Sequence, residues 1–292
     1  MAQNLLVTGG TGSFGSAFIE RALPFVDTIT VYSRDELKQS EMAARLKTDR
    51  VRFVLGDIRD RTRLAYAMRG CETVVHAAAM KQVPACEANA PEAVSTNIDG
   101  SRNVATVAAE LGSYVVALST DKATTPSNLY GATKLVSERL FLSAGFAAVR
   151  CGNIFGSRGS VVPLFMEQRK TGLVTVTDGR MTRYSITLDE AVAAVAQATR
   201  DERGAGIYVP KMPSYRILDL VEAIAPGCEV RETGSRAGER LHECLLTEAE
   251  APFATDCGSY YLIGDKGDGA CGPLYSNTND HWLTVDEIRG ML

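Results

Sequence analysis

The sequence is poor in the residues that build metal and disulfide scaffolds. Its three histidines, His76, His242 and His281, lie far apart. Its seven cysteines (Cys71, Cys86, Cys151, Cys228, Cys244, Cys257 and Cys271) include no C-x-x-C pair. Neither zinc spacing nor a disulfide framework is legible, so no metal site is expected. An odd number of scattered thiols reads as reduced cysteine in a cytoplasmic protein. There is no basic block: the net charge of -4 comes from acids and bases spread along the chain. That disfavours nucleic acid as a partner, although a local cationic pocket can still hold an anionic ligand. No long apolar run is present, nor a charged segment followed by an apolar one, so neither a membrane span nor a leader is expected. Internal repeats and low-complexity stretches are missing too.

What is present is an ordered alternation. The chain has 292 residues, 45% of them hydrophobic, enough for one large domain or a large and a small one. Short strand-like runs at Leu5–Val7, Thr28–Tyr32, Val51–Leu55, Thr73–His76, Tyr114–Leu118 and Ala147–Arg150 are separated by helix-like segments. The helices are expected at Ser13–Leu23, Asp35–Lys47, Arg61–Met68, Pro91–Leu111 and Leu129–Leu142. This rhythm predicts an α/β fold, a doubly wound parallel sheet of the Rossmann type. After Cys151 the rhythm breaks. Val174–Val176 reads as a lone strand, Asp189–Thr199 as a helix returning to the sheet, and the chain from Pro210 as mostly loop. The expected division is a dinucleotide-binding domain over 1–155, with a returning segment near 186–210. A smaller substrate domain would take 156–185 and 211–292.

Thr8-Gly9-Gly10-Thr11-Gly12-Ser13-Phe14-Gly15 joins the first strand to the first helix. In such a turn Gly9 permits the tight bend, Gly12 lets backbone approach a pyrophosphate, and Gly15 lets the helix pack closely. The helix N-terminus offers free N–H groups to phosphate. The second strand ends in Ser33-Arg34 where NAD sites carry an acid, and Lys38 follows one helical turn later. A guanidinium suits a ribose 2′-phosphate, so NADP is expected rather than NAD. The competing reading is a solvated helix start in which Asp35 takes the ribose. Asp57, after the third strand, is placed to meet the adenine edge or merely to start a helix.

Tyr130 and Lys134 form Y-x-x-x-K, on one face of a helix. A nearby ammonium and a positive nicotinamide would favour the phenolate, making Tyr130 a base. Thr120, Asp121 and Lys122 stand at the end of the fifth strand, the edge where doubly wound folds place ligands.

These motifs resemble the extended short-chain dehydrogenase/reductase family. Longer strings resemble its inverting UDP-N-acetylglucosamine 4,6-dehydratases: Tyr32–Met42, His76–Lys81, Ser119–Ala123, Asn128–Lys134, Gly152–Asn153 with Gly156–Pro163, and Met181–Arg183. Gln82 departs from a His often found there, and Ser185 from an aromatic residue. The resemblance implies a UDP-sugar substrate, association into dimers or hexamers, and a redox-neutral reaction. In it Tyr130 takes the 4-hydroxyl proton, Lys122 the C5 proton, and Asp121 protonates the departing 6-hydroxyl, with Thr120 and Lys134 completing the catalytic set. The cofactor contacts it implies are Gly9, Thr11, Gly12, Ser13, Phe14, Gly15, Ser33, Arg34, Lys38, Asp57, Ile58, Ala77, Ala78, Ala79, Tyr130 and Lys134. For the substrate they are Lys81, Asn153, Arg158, Val161, Arg180, Arg183, Arg240 and Glu243. A 5-epimerase-like or 5,6-dehydrating variant would share the early steps, and two other readings differ at defined points. A UDP-hexose 4-epimerase stops after C4 oxidation and has no use for Asp121-Lys122. A non-catalytic NADP sensor needs only the glycine turn.

Overall fold

The computed structural model describes residues 4–201, 204–269 and 271–292. Through the first half β1 (Asn4–Thr8), α1 (Ser13–Ala22), β2 (Thr28–Ser33), α2 (Glu36–Leu46), β3 (Val51–Leu55), α3 (Arg61–Met68) and β4 (Thr73–His76) alternate. There follow α4 (Val83–Ala88), α5 (Ala90–Val94), α6 (Gly100–Leu111), β5 (Tyr114–Thr120), α7 (Leu129–Ser143) and β6 (Ala147–Cys151). The second half contains β7 (Asn153–Ile154), α8 (Val161–Gln168), β8 (Leu173–Val176), β9 (Thr182–Ile186), α9 (Leu188–Ala198), β10 (Gly206–Pro210) and β11 (Ser214–Arg216). It closes with α10 (Ile217–Ile224), β12 (Glu229–Glu232), β13 (Cys244–Leu246), β14 (Ala254–Asp256), β15 (Tyr260–Ile263), β16 (Leu274–Tyr275) and α11 (Val285–Gly290).

The main sheet has nine strands in the order β14-β15-β10-β6-β5-β4-β1-β2-β3. From β3 to β10 the neighbours run parallel. The expected doubly wound fold is therefore present. Its central strands are largely apolar because both faces are covered, whereas the edge strand β3 exposes Arg52 and Leu55. On one face Phe14, Phe18 and Ile19 of α1 and Val192 and Val195 of α9 pack on Val7, Val31 and Val149. On the other, Leu64, Met68, Val104 and Phe141 pack on Leu6, Val74 and Val115. Capping side chains set the helix starts: Asp35 for α2, Asp60 for α3, Asn128 for α7 and a Thr187–Glu190 capping box for α9. A third apolar cluster, with Val162, Phe165, Val174, Leu220, Ile224 and Ile288, lies within the second half. Among the described residues, no helix is long and apolar enough to cross a membrane.

The structure departs from the sequence reading in three places. The helix expected over Pro91–Leu111 is broken into α5, a π-helical turn at Ser95–Asp99, and α6. The wide turn lets Asn97 accept from the Met80 amide (2.8 Å) and donate to the Met80 carbonyl and the Thr133 hydroxyl (both 2.9 Å). Such bulges recur at functional sites. Val174–Val176 is not a lone strand: β8 pairs in parallel with β12, whose sequence Glu-Val-Arg-Glu is exposed throughout and so carries no apolar signal. The chain after Pro210 also returns to the main sheet, where β15 joins β10 antiparallel and β14 joins β15.

Candidate active site

Strand order reverses between β1 and β4, so the loops leaving those strands diverge and open a crevice. A cavity of about 1080 Å³ occupies it. The cavity runs from the glycine turn past the ends of β5 and β6 to a loop at Arg236–Arg240.

Gly9 has φ +66°, and a Cβ there would stand 2.8 Å from the Ala78 nitrogen. Only glycine lets β1 turn this close to the loop after β4. A Cβ on Gly12 would meet only the Gly9 carbonyl (3.1 Å) among the described residues, so bare backbone lines the cavity at the start of α1. That leaves room for an anionic group on the helix N-terminus. Gly15 serves the turn itself, since its Cβ would fall 2.5 Å from the Gly9 carbonyl. Ser13, Phe14, Gly15, Ala77 and Ala79 line the same end. Thr11 and Ala78 belong to these two loops without lining the cavity, although Ala78 lends the backbone against which Gly9 turns.

Ser33, Arg34, Lys38, Asp57 and Ile58 cluster beyond the cavity, at or just past the ends of β2 and β3. Ser33 is buried and accepts from Gln39 Nε2 (2.9 Å). Ile58 is buried against the Gly100 backbone, where a Cβ would come within 2.5 Å of its Cδ1. Arg34 is 60% exposed and lies 3.6 Å from Asp57. Lys38 is turned to Asp35 rather than to Arg34. Burial raises the Asp57 carboxyl, but Arg59, bound through its Nε and NH2, outweighs it and holds the group low.

The reacting groups meet at the ends of β5 and β6. Gly131 seats α7 directly on the turn after β5: a Cβ there would be 2.2 Å from the Lys122 carbonyl. This brings Tyr130 beside Thr120 and Lys122. Burial pushes the Tyr130 hydroxyl up to about 12, against the Lys122 charge and a hydrogen bond with Thr120. The cation that most favours its phenolate is therefore Lys122. Lys134, one turn along α7, donates to the Leu118 carbonyl (2.8 Å), and burial lowers it to about 8 against the pull of Glu138. Asp121 is fully buried; its Oδ1 accepts from Thr120 Oγ1 and from Lys122 Nζ, both at 3.0 Å. Burial raises its carboxyl, and the Glu243 charge adds to this while Lys122 opposes it. At Lys122, burial is outweighed by Asp121 and Glu243, and the ammonium is held above the ordinary lysine range. That charge state suits a proton donor better than the base the motif implies.

The remaining expected residues separate into groups. Asn153 accepts from Lys122 Nζ (3.3 Å), and Arg183 reaches Glu243 (3.7 Å). Both line the cavity, with Lys81, Val161, Arg240 and Glu243. Arg158 also lines the cavity, at the end where the glycine turn lies. Its guanidinium spans the glycine turn, donating to the Thr11 carbonyl (2.7 Å) and to Ser13 Oγ (3.2 Å). Lys81 donates to the Arg158 carbonyl (2.9 Å), fastening that strap. Arg180 does not join the cavity; it is 78% exposed and paired with Asp178. Sequence reasoning missed Gln82, Asn128 and Arg236 in the walls. The loop itself was expected, since Gly238-Glu239-Arg240 with Glu243 reads as a segment closing over the uridine end. Gly238 has φ +80°, and its carbonyl accepts from Ser127 and Asn128, clamping 236–240 over the start of α7.

A family model described as polysaccharide biosynthesis protein matches residues 5–265. The chain belongs to this family. Within it, the chain is similar to the UDP-N-acetylglucosamine 4,6-dehydratase (inverting) of Campylobacter jejuni. The two are 44% identical over 277 residues, which is 89% of this chain and 82% of that protein. The resemblance carried by the motifs is thus borne out. A protein named UDP-glucose 4-epimerase from Rickettsia bellii is 38% identical over 285 residues, 91% of this chain and 84% of its own. Among solved structures, Pen from Bacillus thuringiensis matches with a TM-score of 0.92 and 34% identity, covering 99% of this chain and 96% of that one. DesIV, a dTDP-glucose 4,6-dehydratase from Streptomyces venezuelae solved with NAD and TYD bound, matches with a TM-score of 0.74 and 26% identity. That match covers 82% of this chain and 86% of the other.

Proposed function

We propose that the protein is an NADP-dependent UDP-N-acetylglucosamine 4,6-dehydratase that inverts C5. The observation that carries this reading is Lys122 in the cavity wall beside Tyr130, with Asp121 buried directly behind it and bonded to Lys122 Nζ at 3.0 Å. An epimerase needs Tyr130 alone, whereas loss of water from C6 needs a second acid. The bare backbone at Gly12 and the N-terminus of α1 fit a dinucleotide pyrophosphate, and Arg34 a 2′-phosphate. When bound, the dinucleotide supplies reversible hydride acceptance between C4 and C6. Tyr130 takes the 4-hydroxyl proton as the phenolate, the form that the Lys122 charge and the Thr120 hydrogen bond favour and that a positively charged nicotinamide would favour further. Asp121, whose carboxyl is raised by burial, is suited to protonate the leaving 6-hydroxyl. Thr120 touches both groups and passes the first proton toward the second. Lys122 faces the sugar at C5, and Arg183 and Arg240 offer charge to the nucleotide. The same reading assigns the cofactor to 1–155 with 186–210, and the substrate to 156–185 with 211–292. It also includes a cytoplasmic location and a homo-oligomer.

The test is an NMR time course of the purified protein with NADP+ and UDP-N-acetylglucosamine in deuterated water. A new C6 methyl, a 4-keto product and deuterium at C5 are expected, with C5 couplings of the inverted sugar. A C4 epimer with unchanged C6 would replace the reading with epimerase.

A further inference from the structure

Lys122 cannot take a proton in the state its surroundings impose. Its ammonium faces three oxygens: Asp121 Oδ1 at 3.0 Å, Asn153 Oδ1 at 3.3 Å and Glu243 Oε1 at 3.4 Å. To act at C5 it must first give one proton away. Asn153 has no use for it. Asp121 is the group required to arrive protonated at C6, and its carboxyl is already raised by burial. Glu243 remains.

Glu243 is built to stay where it is. It precedes β13, is 3% exposed, and its backbone is held on both sides by Ser276: its amide donates to Ser276 Oγ and its carbonyl accepts from the Ser276 amide, both at 2.9 Å. Burial raises the carboxyl, but Lys122, Arg183 and Arg240 outweigh it, so Glu243 rests ionised. Its Oε2 is buried without a hydrogen-bond partner among the described residues. An ionised, unsatisfied oxygen in a dry site is costly, and protonation relieves that cost. Two carboxyls flank one amine with opposite tendencies, the pattern that separates acid from base.

We propose that Glu243 is the proton acceptor behind Lys122. When the sugar seals the cavity, the loss of water favours the neutral amine and carboxylic acid over the ion pair. The Lys122 ammonium passes a proton to Glu243 Oε1, and the freed amine takes the C5 proton. The C5–H electron pair forms the C5–C6 double bond as the C6–O bond breaks, and the oxygen leaves as water with the Asp121 proton. The Tyr130–Thr120 contact returns the proton taken from the 4-hydroxyl to Asp121. As hydride returns to C6, C5 takes up one proton from water and Glu243 gives one up to water, so Lys122 ends as an ammonium, Glu243 as a carboxylate, and the protons balance. Glu243 acts through Lys122 and is a positioning and relay residue. This rests on the dehydratase reading.

The experiment compares wild type with Glu243→Gln and Glu243→Asp, each carrying NADP+ and given UDP-N-acetylglucosamine in deuterated water. C4 oxidation is followed by the absorbance of the reduced nicotinamide, and C5 chemistry by deuterium uptake. Glu243→Gln is expected to keep C4 oxidation within a few-fold and to lose C5 exchange and product about 100-fold or more. Glu243→Asp, which keeps a carboxylate, is expected to recover part of the exchange. Unchanged C5 exchange in Glu243→Gln overturns the proposal. So does a parallel loss of C4 oxidation with a raised KM, which would make Glu243 a substrate-binding group. Wild type that yields no 4-keto product overturns the dehydratase reading, and this proposal with it.

Discussion

Arg34 is where one side chain decides which dinucleotide the site prefers. It follows β2, and its guanidinium is 60% exposed and lies 3.6 Å from Asp57. A charge-assisted contact to a 2′-phosphate contributes about 1.5–3 kcal/mol, or about 10- to 100-fold in affinity. Arg34→Ala is therefore expected to weaken NADP binding by about that factor and leave NAD binding unchanged, measured by calorimetric titration of both nucleotides. Equal losses would show that Arg34 shapes the loop and does not read the phosphate. Lys38 is not expected to compensate, because Asp35 already engages it. At this scale the sequence was legible wherever residues act within one element, as Tyr130 and Lys134 do on α7. It was silent on partners distant in the chain. Glu243 meets Lys122 from far along the chain, and Arg158 folds back onto Thr11 and Ser13. No local spacing encodes either contact.

At the scale of elements, His76 ties the end of β4 to its neighbours. Its Nδ1 meets Thr8 Oγ1 (2.7 Å) on β1, its Nε2 meets Ser101 Oγ (3.3 Å) on α6, and its ring lies against Phe141 of α7. This is a packed joint and not a catalyst. Burial, helped by the Lys134 charge, lowers the imidazole to about 3. The unfolded chain binds a proton near pH 6.5 and the folded one does not until about 3. The stability from this group is thus full above about pH 6.5 and is lost as pH falls toward 3, at about 1.4 kcal/mol per pH unit. His76→Asn is expected to flatten the acid limb of a stability–pH curve by about one proton between pH 6 and 4. Urea midpoints across that range would check it, and an unchanged slope would mean that His76 is protonated in the folded protein. The elements themselves were readable where burial on both faces makes a strand uniformly apolar, as for β1, β2 and β6. They were not readable where another force sets the backbone. The π-helical turn at Ser95–Asp99 serves the bonds of Asn97, β12 is charged and exposed, and β15 is a short apolar run between Gly258 and Gly264.

Across the whole molecule, one buried knot joins the catalytic strands to the distant segment that carries Glu243. Arg150 on β6 is fully buried. It binds Glu138 of α7 (2.7 and 3.1 Å), Glu250 (3.0 and 3.1 Å) and the Leu245 carbonyl (2.9 Å). Ser119 on β5 donates to the same Glu138 (2.6 Å). Arg150 is thus the shared counter-ion of two carboxylates from segments about a hundred residues apart. Removing one partner of a buried pair costs about 3–5 kcal/mol, because the charges left behind are uncompensated. In a chain of this size that is a fall in Tm of roughly 5–15 °C. Arg150→Met is expected to show that fall in a thermal melt. Adding Glu138→Gln should return part of it, since one stranded charge is then gone. The kinetic consequence should be directional: the segment bearing Glu243 loses its Leu245 and Glu250 tethers, whereas on the α7 side Glu138 keeps its bond from Ser119. Deuterium uptake at C5 should therefore suffer more than C4 oxidation. Equal losses in both would mean that the knot supports the sheet as a whole and not the Glu243 segment.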